Sequence, residues 1–62
     1  MENPIKKILI ERDDMTPDEA DNLIEEARNQ LIEYIEGGEL FLADDVCLDY
    51  FGLEPDYLEY LL

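Results

Sequence analysis

The stretch Thr16-Pro17-Asp18-Glu19-Ala20-Asp21-Asn22-Leu23-Ile24-Glu25-Glu26-Ala27 decides how the chain is read. Thr16 offers an N-cap hydroxyl and Pro17 suits the first helical position. Glu19, three residues after the cap, can close a capping box. Ala20, Leu23, Ile24, Ala27, Leu31, Tyr34 and Ile35 then recur at the spacing of one stripe of a 3.6-residue period. A helix over this stretch, apolar on one side, is predicted to end at Gly37-Gly38. Asp18 and Glu19 favour the positive end of its dipole, whereas Asp21 and Glu25 are like charges four apart and cost a few tenths of a kcal/mol. Burial of the stripe has to outweigh that cost.

The flanking sequence yields shorter helices. Asn3-Pro4 reads as a cap and first residue, with Ile5, Ile8 and Leu9 at helical spacing, so a first helix is expected from Pro4 to about Arg12. The β-branched run Ile8 to Ile10 would also suit a strand, but Lys6 and Lys7 do not alternate with the apolar residues. A third helix is predicted from about Leu40 to Phe51. Its inward face would carry Ala43, Val46, Cys47, Tyr50 and Phe51, and Asp44, Asp45 and Asp49 would turn away. Gly52-Leu53 fits a Schellman end, and Pro55 then opens a final turn or two in which Leu58, Leu61 and Leu62 can pack inward. Together these imply a single all-α domain over residues 1–62, a compact bundle of three to four short helices.

Composition narrows function mainly by exclusion. The chain has 62 residues, 18 acidic against 4 basic side chains, no His and one Cys, for a net charge of -14. A core this small gives modest stability. Repulsion from phosphates makes direct binding of nucleic acid or anionic lipid unfavourable, so charged partners should be basic. No apolar run approaches the roughly 20 residues that span a bilayer. The lone Cys and the lack of a basic, cleavable opening segment point to a cytoplasmic setting.

Catalysis lacks its parts. Without His or Ser, Thr16 and Cys47 are the nucleophile candidates, and neither has a base to make a triad. Thr16 is accounted for as a cap, and Cys47 as a core thiol among acids that raise its pKa. Carboxylates are too numerous for their pairing to mean anything, and so small a chain offers little concavity for a small-molecule substrate. Around Asp13, Asp14 and Asp18 the ligand spacing of a calcium loop is absent, and those acids read as a solvated helix entrance, with weak binding of a divalent cation as the lesser alternative. No catalytic residue, cofactor or metal site is therefore expected, and the protein is read as a non-enzyme.

Two features ask for more. Ile10, Ile32, Leu40, Phe41, Leu42, Leu48, Tyr57 and Tyr60 exceed what one small core can cover, which makes them a candidate protein interface, for another protein or for a second copy in a homodimer. The second feature is the charge. A domain of this size should be about 27 Å across, and a duplex of that length carries about 16 phosphates, close to the charge of this chain. An acidic nucleic-acid mimic that blocks a basic host protein is thus the alternative reading.

Ile10-Glu11-Arg12-Asp13, Met15-Thr16 with Glu19-Ala20, Leu23 to Ala27, and above all the corner Phe51-Gly52-Leu53-Glu54-Pro55-Asp56-Tyr57 resemble a group of small acidic proteins encoded in phages, prophages and mobile elements of Gram-positive bacteria. The likeness covers nearly the whole chain. It implies a mobile-element setting and a small helical fold, and it assigns no functional residue.

Overall fold

The two longer helices each begin where a capping side chain and a proline relieve the unpaired amides of the first turn. The Asn3 side-chain oxygen accepts from the Ile5 amide at 2.9 Å, and α1 runs Pro4–Asp13. At the next start Thr16 Oγ1 accepts from the Glu19 amide at 3.2 Å while Glu19 Oε1 accepts from the Thr16 amide at 3.0 Å. This is the reciprocal capping box, and α2 follows as Pro17–Glu36, twenty residues long. The structure is a computed structural model and describes residues 3–61. α3 is Leu40–Asp44, α4 is Val46–Phe51, and a 3-10 segment, Pro55–Tyr60, closes the described chain. No strand occurs among the described residues, and the protein is an all-α bundle with a long axis of 33 Å.

α2 supplies that axis. Ala20, Ile24, Ala27 and Leu31 are buried along one side, and the alternation of small and large residues lets Ile5 and Leu9 of α1 pack closely against it. Leu23 and Tyr34 are half-buried against the same core. Ile35 departs from the expectation: it belongs to the stripe by period but is exposed. α3 and α4 cover the remainder of the buried face with Ala43, Val46, Cys47 and Phe51, and Leu61 inserts from the end of the chain. Leu58 is half-buried, and Leu62 lies outside the described residues.

The single helix expected over Leu40 to Phe51 is two helices. At Asp45 the amide bonds the Leu42 carbonyl three residues back at 3.1 Å, which interrupts the regular ladder, and α4 restarts from the Asp45 carbonyl. The interruption falls at adjacent like charges, Asp44 and Asp45, a residue type of low helix propensity. Neither short helix has a side-chain cap at its start.

The Schellman arrangement lies at the end of α2. Gly38 has φ 75°, the Glu39 amide bonds the Tyr34 carbonyl at 2.8 Å, and the Gly38 amide bonds that of Ile35 at 3.2 Å. At Gly52, φ 66°, the amide instead bonds Leu48 four residues back at 2.9 Å, the simpler left-handed ending, and the Leu53 amide reaches Cys47 at 3.1 Å. α1 also ends on a left-handed residue, whose amide turns to the Leu9 carbonyl five residues back. Asp14 is left-handed at φ 57°, and the Met15 amide reaches back six residues to Leu9 at 3.3 Å.

Candidate interaction surface

Among the described residues, three of the four cations bind other parts of this chain. Arg12 is held in a fork by Asp13, with Nε to Oδ1 at 3.0 Å and Nη2 to Oδ2 at 2.9 Å, and Nη2 also donates to the Phe51 carbonyl at 2.5 Å. Arg28 Nε donates to the Leu61 carbonyl at 2.6 Å. Lys6 pairs with Asp21 at 3.1 Å. The two arginines therefore satisfy carbonyls at the end of α4 and just past the 3-10 segment, the places where helices leave acceptors unpaired. Hydrogen bonding to Asp13 raises the Arg12 pKa, and the same bond lowers that of the Asp13 carboxyl. Carboxylates stand exposed on every helix, and no Lys or Arg occurs after Arg28 to offset them.

The large apolar side chains left in solvent are Phe41 at 72% exposure, Leu40 at 61%, Leu48 at 59%, Ile35 at 43%, Tyr60 at 41% and Ile32 at 40%. Five of the eight residues singled out from sequence are thus openly exposed. Of the others, Ile10 and Tyr57 are half-buried and pack against the core, and Leu42 is half-buried. Ile35 joins the exposed group although its period assigned it to the core.

Helix length explains why Ile32 and Ile35 are bare. Asp21, Arg28 and Ile35 are spaced by seven residues and so form one row along α2. Asp21 meets Lys6 of α1, Arg28 meets the Leu61 carbonyl, and Ile35 comes next in the row. Asn3, at the head of α1, borders the same shallow depression as Arg28 and Asn29. α1 has ten residues against the twenty of α2, about 15 Å against 30 Å, so the last two turns of α2 project beyond it. Across the tight Gly37-Gly38 turn, Leu40 and Phe41 open α3.

Other features offer less chemistry. Asp13 is already occupied by Arg12, and among the described residues no group of three His, Cys, Asp or Glu side chains is placed to hold a metal ion. Cys47 is buried, and burial pushes its thiol pKa up. An open depression of about 330 Å³ is lined by Pro4, Tyr57, Tyr60 and the acids Glu54, Asp56 and Glu59. Tyr57 and Tyr60 are tilted at 49° with centroids 6.1 Å apart, and the hydrogen bond with Glu59 raises the Tyr60 pKa. No helix among the described residues is long and apolar enough to cross a membrane.

Comparison with protein-family models, with curated proteins and with solved structures finds no match.

Proposed function

We propose that this protein is a non-enzymatic interaction module, a small acidic helical protein of the cytoplasm and of phage or mobile-element type, which acts by holding a protein partner on its exposed apolar side chains. The observation that carries the reading is Phe41, a full aromatic side chain 72% exposed, next in sequence to Leu40 at 61%. Exposed aromatic and aliphatic side chains near one another supply most of the energy at protein interfaces. Ile32, Ile35, Leu40 and Leu48 extend the apolar set, and the surrounding carboxylates keep so apolar a surface soluble. Acids exposed on every helix fit general repulsion better than a single strip at phosphate spacing, which favours this reading over imitation of nucleic acid.

The test is affinity capture from host cells with wild type and Phe41→Ser as baits, over a salt series. The reading expects a protein retained by wild type at raised salt and lost with Phe41→Ser. A partner held equally by both baits and released steeply by salt supports the nucleic-acid mimic instead.

A further inference from the structure

Resting on that reading, we infer that the stretch of α2 that projects past α1 is the seat of a basic amphipathic helix of another protein, laid in line with α1. The row Asp21, Arg28, Ile35 marks the track. Its first two positions are taken by α1 and by the end of the chain's 3-10 region, and Ile35 stands one further heptad along, with Ile32 beside it at three residues' remove. On this edge of α2, from Asn29 to Glu36, no other described helix follows α1, which leaves a length of about 12 Å, room for roughly two helical turns. A segment filling it would repeat against Ile32 and Ile35 what Ile5 and Leu9 do against Ala20, Ile24 and Ala27: apolar residues at i, i+3, i+4 and i+7 facing α2.

Charge settles the occupant. Glu25, seven residues before Ile32, and Glu36, four after it, share its edge of α2, and both are exposed. Glu39 follows directly after the turn, and no Lys or Arg lies between Asn29 and Leu62. A second copy would bring the same acids to this edge and add another charge of -14, whereas a helix flanked by Lys and Arg would meet them with complementary sign. Lys6 and Arg12 are paired with Asp21 and Asp13, and Arg28, four residues before Ile32, is the single cation of α2, outnumbered along this edge by Glu25, Glu36 and Glu39.

The probe is a labelled synthetic peptide of about 16 residues, long enough to take up helix, with Leu at i, i+3, i+4 and i+7 and Lys and Arg on both flanks. Two controls replace either the basic residues by Glu or the Leu residues by Ser. Fluorescence anisotropy against the full chain should show saturable binding of the basic Leu peptide, one per chain. Binding should be about tenfold weaker with Ile35→Ser or Ile32→Ser, and about tenfold weaker or worse for either control peptide. Circular dichroism verifies that the variants fold, and both substituted positions are substantially exposed. Equal affinity for wild type and both variants overturns the inference, as does no binding. A wild-type dimer that Ile35→Ser dissociates also overturns it, by making a second copy the occupant. Peptide binding abolished by Phe41→Ser but indifferent to Ile35 and Ile32 removes the proposed seat and leaves the interaction module standing. Failure of Phe41-dependent capture from cells removes the module itself.

Discussion

Arg12 joins two places thirty-nine residues apart, donating from Nη2 to the carbonyl of Phe51, the last residue of α4, while its fork grips Asp13 at the end of its own helix. One guanidinium thus ties the close of α1 to the close of α4. Lysine carries the same charge but cannot present parallel donors to a carboxylate and a further one to a carbonyl. Arg12→Lys should therefore lower the thermal midpoint nearly as much as Arg12→Gln, and Asp13→Asn should lower it less than either. Thermal unfolding followed by circular dichroism checks the order. A midpoint for Arg12→Lys equal to wild type would show that charge alone is at work.

Two carboxyls have folded-state pKa values below their ordinary ones: Asp13, through its bond from Arg12, and Glu19, through the amide and then the hydroxyl of Thr16. A depressed pKa contributes stability that is present above the ordinary values of 3.8 and 4.5 and is lost as pH falls through the lowered folded values. Acidification also relieves the general repulsion of a chain carrying -14. The specific contribution is separated from the general one by comparing wild type with Glu19→Gln across pH. Their difference in unfolding midpoint should be constant above about pH 5 and shrink steadily below about pH 4. A difference unchanged down to pH 3 would contradict the assignment.

Left-handed residues end three of the helices, and one of them is not glycine. At Asp14, φ 57°, a side chain sits where L-residues are disfavoured. Asp14→Gly should stabilise the protein by up to about 1 kcal/mol, aided by the loss of one negative charge. Gly38→Ala and Gly52→Ala should each cost about 1 kcal/mol. At both positions an added Cβ meets nothing within 4 Å, so the cost is that of backbone conformation alone. Chemical denaturation of the three variants provides the check, and an alanine at position 38 or 52 that stabilises would refute the described endings.

How far sequence determined these features depends on how local they are. α2 was legible because cap, proline and period coincide within twenty residues, and the first helix was legible from Asn3-Pro4. The break at Asp45 was not, since the same residues satisfy the periodicity of one helix or of two. The left-handed glycines were visible as stops, but which of them carries the Schellman bonds depends on how the following chain departs. Ile35 shows the limit most clearly. Period places it on the apolar stripe, yet whether a stripe position is covered depends on the length of the helix packed against it, and α1 is too short to reach. Conversely Ile10 and Tyr57, counted as surplus, find partial cover against the core. The bonds of Arg12 and Arg28 to distant carbonyls had no sequence signal, because both partners are backbone groups brought near only by the fold.

The same structure separates residues that hold the bundle from residues that do not. Leu31 is 2% exposed in the middle of the core, and Leu31→Ala should cost about 2–5 kcal/mol, enough to unfold much of so small a protein at ambient temperature. Phe41→Ser and Leu48→Ser should change stability by no more than about 0.5 kcal/mol. Urea titrations of the three side by side test the division. A loss at Phe41 approaching that at Leu31 would make it a folding residue.

The most direct test of an apolar working surface is calorimetric titration of the captured partner into wild type and Phe41→Ser at several temperatures. Burial of apolar area gives a negative heat-capacity change on binding, and the account predicts such a change for wild type, reduced in Phe41→Ser. A heat-capacity change near zero, the same for both proteins and accompanied by steep weakening with salt, would contradict it.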